Sequence, residues 1–261
     1  MCPLVMLKWE LTTMSMKKMR RLKYICSPYY SSRPDLWFQN LYALDARSFI
    51  SFEWQYVYLR IPKAANSTIV RTLTSHFPEP LLEAENVHEI KRRAKHYSDL
   101  NSRNKKMIEE FYTFTVVRNP FSRILSAYLD KFGGGNKLSQ FGEAVSRYGE
   151  EGNISFNAFC RYLADGGERQ NAHWMKQSRI LNIASKIDFV GRFEDLEGAQ
   201  AKILAGVRTR TDADRQDLRD GPAATGASEK LLHYYDNECI DIVSYVYRED
   251  FIRYKYSKSL L

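Results

Sequence analysis

The sequence lacks any run approaching the roughly 18 apolar residues that a membrane-spanning helix requires, which argues against a helical anchor. It lacks a secretory leader pattern too, because the basic residues near the N-terminus follow the short apolar stretch instead of preceding it. Cysteine is scarce. Cys2, Cys26, Cys160 and Cys239 lie far apart and have neither metal-ligand spacing nor the density of a disulfide framework. Free, mostly buried thiols in a reducing compartment are the expectation, with one bridge between distant cysteines left open. Internal repeats, low-complexity tracts and nucleic-acid motifs are absent.

What is present is the composition of a folded domain: 44% of residues are hydrophobic and 27% charged, enough for one sizeable core or at most two small ones. Lys and Arg outnumber Asp and Glu, and the formal net charge of +8 favours an anionic partner such as a nucleotide, a polyanionic glycan, a nucleic acid or a membrane surface. The basic residues concentrate only in Lys17–Lys23 and Lys91–Lys95, where a solvated helix face is the ordinary explanation. Tyrosine is abundant, which suits carbohydrate or nucleotide pockets whose rim needs a ring and a hydroxyl, as well as plain core filling.

Residues 1–53 read as a basic, partly irregular extension, and residues 54–261 as one domain. Tyr56–Ile61 is a β-branched and aromatic run that ends in Pro62-Lys63-Ala64-Ala65-Asn66-Ser67-Thr68 and a helical pattern. Phe111–Val117 is the most strand-like run. It is followed by Arg118 and a helix with Asn119 as N-cap and Pro120 in its first turn. Phe121, Ile124, Leu125, Tyr128, Leu129 and Phe132 form the apolar stripe of that helix. A third strand is expected over Ile187–Phe193 with a helix from about Asp195, and a last long helix over about Ser228–Glu249. Residues 208–227, polar and Gly/Ala-rich, are expected to form a loop. Alternating strands and helices predict an α/β fold, a mostly parallel sheet with helices on both faces, and ligands beyond the carboxyl ends of its strands.

Both loops named above lie at such strand ends, and each has the chemistry of an anion site. A helix N-terminus offers unpaired N–H groups and partial positive charge. In the first loop Ala64 and Ala65 allow close backbone approach, Ser67 and Thr68 offer hydroxyls, and Lys63 supplies a cation. The order differs from Gly-x-x-x-x-Gly-Lys-Ser/Thr of nucleotide triphosphatases, because here the lysine precedes the small residues. A plain strand-to-helix turn with a Ser/Thr cap is the competing reading. In the second segment Arg118 sits beside a helix N-terminus, with Asn119, Ser122 and Ser126 on one face, a combination suited to a phosphate monoester. Two such units predict a ligand with two separated phosphate groups.

Pro62–Thr68 resembles the 5′-phosphosulfate loop of sulfotransferases, and Val117–Tyr128 resembles their 3′-phosphate segment. The likeness is to the carbohydrate sulfotransferases of sulfotransferase family 2, the HNK-1 type. His173-Trp174-Met175-Lys176-Gln177, Phe189-Val190-Gly191-Arg192-Phe193-Glu194 and Tyr247–Phe251 are similar to further stretches of that family, in the same order. The first loop departs from it in carrying Ala-Ala where many relatives have glycine or cysteine.

The resemblance implies a P-loop-like three-layer fold and an enzyme that moves a sulfuryl group from PAPS (3′-phosphoadenosine 5′-phosphosulfate) to a carbohydrate hydroxyl, releasing PAP. It implies no required metal. Lys63 would neutralise the leaving oxygen, and Ala64, Ala65, Asn66, Ser67 and Thr68 would cradle the 5′-phosphate. Arg118 and Ser126 would hold the 3′-phosphate. His88 is the first candidate for general base and His173 the second. Lys91, Arg92, Arg93 and Lys95 would then suit an anionic acceptor near His88. An ATP-dependent kinase and a non-catalytic module for glycans or nucleic acid remain the rival readings. The sequence departs from the Golgi relatives, which carry a transmembrane anchor, and a cytoplasmic, bacterial protein without one is expected here, with peripheral membrane association left open.

Overall fold

Every residue of the strand Tyr56–Leu59 is buried, as an apolar run covered on both sides must be. The computed structural model describes residues 16–79, 86–133, 139–209 and 230–260. Its sheet comprises β1 (Ser48–Ser51), β2 (Tyr56–Leu59), β3 (Tyr112–Val117) and β4 (Phe189–Arg192), side by side in that order. β2, β3 and β4 run parallel, and β1 pairs antiparallel with β2.

The helices that matter for the site are, in chain order, α1 (Met16–Ile25), α2 (Leu41–Asp45), α3 (Asn66–His76), α4 (Val87–Arg93) and α5 (Pro120–Lys131), then α6 (Phe156–Ala164), α7 (Gln177–Leu181), α8 (Leu196–Arg208), α9 (Asn237–Val246) and α10 (Arg248–Arg253). The period of two in a strand splits the core. Tyr56, Tyr58, Phe114 and Val116 pack with Ile69 and Leu73 of α3 and Ile203 and Leu204 of α8. Val57, Leu59 and Val117 instead join Tyr29, Leu41 and Leu44 from the N-terminal segment and Ile180 of α7. The sheet is therefore the middle of three layers, the expected α/β architecture. The apolar stripe of α5 forms a third cluster with α6, α9 and Trp174.

Two differences from expectation have physical causes. Residues 16–53 belong to the folded unit: Tyr30, Leu36, Leu41 and Leu44 are core residues, and the expected boundary at 53/54 falls in the turn joining β1 to β2. Beyond α1 their helices are too short to show a period, and side-chain contacts hold them, such as Tyr29 stacked on Tyr97 at 4.0 Å and the Tyr30 hydroxyl donating to Asp45. The long C-terminal helix is broken into Leu231–Tyr234, α9 and α10. Asp236 is extended and its carboxylate accepts from the Cys239 amide at 2.8 Å, starting a new helix where periodicity alone would continue the old one. Of the expected loop 208–227, Arg208 ends α8, Thr209 caps it and the remainder lies outside the described residues. Cys160 and Cys239 are buried neighbours in the core and both are free thiols, as is the exposed Cys26. No helix among the described residues is long and apolar enough to cross a membrane.

Candidate active site

The chain leaves β2 at Ile61-Pro62 and must turn at once into α3. It does so with two residues in the left-handed region, Lys63 at φ 68° and Ala65 at φ 55°. Neither is glycine, so each costs about 1 kcal/mol or more. The turn aims the first amides of α3 outward, and Ala65, at the N-cap, supplies no side-chain acceptor for them. α4, α5, α6, α8 and α9 are all capped by Asn, Ser or Asp side chains. The N-terminus of α3 thus remains open to an anion.

Beside it, β3 ends in Arg118 and α5 begins, with Asn119 accepting from the Phe121 amide at 2.9 Å and Pro120 in the first turn, as expected. Arg118 is buried. Its Nε donates to Ser122 Oγ at 3.0 Å, one terminal nitrogen donates to the Lys63 carbonyl at 3.1 Å, and its guanidinium lies 4.1 Å over the Phe193 ring. No carboxylate among the described residues is within ion-pair distance of it. Burial pushes Arg118 down to about 10, with Glu194 opposing, so it stays a cation at neutral pH. One turn further along α5, Ser126 Oγ is buried and has no hydrogen-bond partner. A buried hydroxyl of this kind takes its hydrogen bond from a water, an ion or a ligand.

These elements border one cavity of about 1020 Å³. Lys63, Ala65, Asn66, Ser67, Thr68, Arg118 and Ser126 line it together, and so do both candidate bases, His88 and His173. Ala64 is the exception, its methyl group packed in the core. Lys63 Nζ lies 3.5 Å from Asp130 at the far end of α5, and burial holds it below the usual lysine range despite that partner. His88 is exposed in the first turn of α4. His173 Nδ1 faces Asn171 Oδ1 at 2.8 Å, which assigns the proton to Nδ1 and leaves Nε2 as an acceptor. Burial, then Lys131, pushes His173 down to about 3, so it is neutral at any working pH. Of the basic run after His88, Lys91 and Arg92 border the cavity, while Arg93 pairs with Glu89 and Lys95 lies over Phe52.

The remaining resemblance motifs form a layer behind the cavity. Gln177 clasps the Arg118 peptide, accepting from its N–H at 2.9 Å and donating to its carbonyl at 2.8 Å. Asp250 in turn accepts from the Gln177 and Ser178 amides at 2.7 and 2.8 Å. Glu194 accepts from the Asn119 amide at 2.7 Å and from the Tyr256 hydroxyl at 2.8 Å. Arg123, fully buried, donates to the carbonyls of Pro62, Met175 and Ala172. Trp174 is a core residue whose Nε1 donates to Gly167.

Sequence reasoning missed Arg47, Arg60, His96, Asp130 and Lys131, which also line the cavity. Arg60 carried a signal, a charge at the end of an apolar strand. The others come from segments whose approach only the fold determines.

Carbohydrate sulfotransferase 14 of Mus musculus and that of Homo sapiens are each 30% identical to the chain over 210 residues, covering 71% of it and 52% of the relative. Carbohydrate sulfotransferase 9 of Homo sapiens is 29% identical over 211 residues, covering 73% of the chain and 47% of the relative. The chain spans about half the length of the curated relatives it matches. No solved structure matches it. The model of the sulfotransferase family matches residues 47–257, from the residue before β1 to just beyond Tyr256, and with it Lys63, Arg118, Ser126 and both candidate bases of the cavity; the chain belongs to the sulfotransferase family.

Proposed function

We propose that the cavity binds PAPS and that the protein transfers its sulfuryl group to a carbohydrate hydroxyl. The observation that carries this reading is the pairing of two anion positions on one cavity. One is the uncapped N-terminus of α3 with Lys63, and the other is Arg118 with the partnerless Ser126 hydroxyl. ATP has no 3′-phosphate to fill the second. The carbohydrate acceptor follows from the relatives, which are carbohydrate sulfotransferases.

When bound, the donor supplies an activated sulfuryl group. The amides of α3, with Asn66, Ser67 and Thr68, hold the 5′-phosphate, and Lys63 Nζ neutralises the oxygen that keeps the electron pair as its bond to sulfur breaks. Arg118 and Ser126 Oγ fix the 3′-phosphate and thereby the line of attack. The acceptor oxygen forms the new bond to sulfur, and its proton passes to the imidazole of His88.

Calorimetric titration with PAP and with ATP-Mg, together with transfer from labelled PAPS to a glycan panel, tests the proposal. PAP should bind, and Lys63→Ala and Arg118→Ala should each lower transfer by about a hundredfold or more. Binding of ATP-Mg without PAP would sink the reading in favour of a kinase. Full transfer by both variants would sink the assigned roles.

A further inference from the structure

The basic run Lys17–Lys23 plays no part in the chemistry of the cavity, and the fold gives it a setting of its own. It lies in α1, which carries Lys17, Lys18, Arg20, Arg21 and Lys23 and no acidic residue. Tyr24 and Ile25 pack onto the core, while Arg21, Leu22 and Lys23 are exposed. Neither Arg21 nor Lys23 has a carboxylate within ion-pair distance among the described residues. The acidic residue that follows in the chain, Asp35, is engaged by Arg33 at 2.8 Å.

α1 packs against α2, and the segment joining them holds a ring out in solvent. Phe38 is 92% exposed. Its neighbours are not: Leu36 and Leu41 are core residues, and the Trp37 indole turns inward, its Nε1 donating to the Tyr30 carbonyl at 2.7 Å. Asn40 caps α2, accepting from the Ala43 amide at 3.1 Å. The turn is therefore anchored on both sides, and Phe38 alone projects from it. Arg21 reaches across from α1 to the same turn and donates to the Trp37 carbonyl at 2.6 Å, so the basic helix and the phenyl ring share one surface.

Tyr42, in the first turn of α2, is 64% exposed and meets Tyr24 edge to face at 6.4 Å. Both tyrosines also border the cavity, so this surface adjoins its mouth.

Exposed apolar groups set among cations call for a partner that offers both negative charge and an apolar interior. A bilayer with anionic headgroups offers both. The cations meet the headgroups and the rings enter the boundary beneath them, with no complementary pocket required. A folded acidic protein would have to supply a pocket for a ring that stands alone at a tip. A nucleic acid would use the cations and leave Leu22 in water.

We infer that α1 and the Phe38 turn form a docking surface for an anionic membrane, with Arg21 and Lys23 at the headgroups and Phe38, Leu22 and Tyr42 at the apolar boundary. The surface lies outside the donor positions and is independent of the donor reading. Docking in this way seats the Tyr24–Tyr42 rim of the cavity against the headgroup layer.

Co-sedimentation of the full chain with vesicles is the test, using phosphatidylcholine alone and phosphatidylcholine with about one third phosphatidylglycerol. The mixed vesicles should bind about tenfold or more tightly, and high salt should remove that advantage. Phe38→Ser should weaken binding to them about fivefold and Lys23→Glu about tenfold, with the unfolding midpoint of each variant unchanged. Phe38→Trp should bind at least as tightly as the parent, because the interface favours that ring. Equal binding to the two vesicle types, or binding to neither, overturns the surface. Binding that is lost in Lys23→Glu but retained in Phe38→Ser overturns it as well, and points instead to a general polyanion such as RNA. So does a Phe38→Ser variant that unfolds earlier than the parent, since the ring would then serve the fold, covered by the chain's own residues.

Discussion

Arg123 Nε lies 3.1 Å from the carbonyl oxygen of Pro62, so α5 grips the peptide immediately before Lys63 in the loop after β2. The same guanidinium donates to Met175 at 2.8 Å and Ala172 at 3.1 Å, on either side of His173 and Trp174. One fully buried side chain thereby sets the spacing of the loop, the arginine strand end and the second histidine.

Arg123→Met should be among the most damaging substitutions, although Arg123 does not line the cavity. It leaves three buried carbonyls without donors, a loss of roughly 3–5 kcal/mol. The unfolding midpoint in urea checks the magnitude. Arg123→Lys, which reaches fewer carbonyls, should recover stability in part and PAP affinity less.

Ser126→Ala should separate binding from stability. The hydroxyl is buried and unpartnered, so its removal should leave the free protein unchanged or slightly more stable. PAP affinity should nonetheless fall about tenfold, the loss of one hydrogen bond to a charged phosphate. A thermal melt with and without PAP reads both effects, and an equal drop in the two conditions would contradict the assignment.

Ala65→Gly should stabilise the protein by roughly 0.5–1 kcal/mol, because φ of 55° is strained for alanine and ordinary for glycine. Ala65→Val should cost more than about 1 kcal/mol, since a branched side chain tolerates this conformation least. Denaturant midpoints of the two variants should move in opposite directions.

His88 and His173 should be distinguishable by substitution. His173 sits at about 3, so it stays neutral between pH 5 and 8 and cannot supply an acidic limb there. His88→Ala should lower kcat by about a hundredfold with PAP affinity retained. His173→Gln should lower the rate less and leave its dependence on pH unaltered. Single-turnover rates and PAP titrations of the two variants decide between them.

Lys91 should carry a pH-dependent stability cost. Its folded value is about 8 against an ordinary 10.5, because burial and then Arg60 and Arg47 disfavour its charge. Between those values the unfolded chain binds the extra proton, so stability rises with pH across that window and the full cost applies below it. Lys91→Met should accordingly be more stable than the parent at pH 7, with the gap closing toward pH 10, as paired urea titrations would register.

Much of this was legible in the sequence, for reasons that particular residues make plain. β2 and β3 are short apolar runs with no competing helical period, and Asn119-Pro120 is a helix start by local chemistry alone. Gly191, in the Gly-Arg-Phe-Glu stretch, proves to be where α8 crosses β4, since a Cβ there would meet that of Ala199 at 2.7 Å. Arg47 and Asp130 were not legible, because their meaning depends on which segments converge on one space. The helices before residue 48 were missed because tertiary contacts, not propensity, hold them. The final helix was overrun because the apolar spacing continues through the break that Asp236 imposes.

The clasp on Arg118 has a consequence for the order in which the protein is made. Gln177 can grip the Arg118 peptide only when Asp250 has engaged the start of α7, and Glu194 is steadied by Tyr256. On the ribosome, residues 56–131 emerge early, with both loops of the cavity in hand. The surroundings of Arg118 nevertheless stay unfinished until residue 256 has cleared the exit tunnel, so only chains extended past that residue should be able to hold the proposed donor.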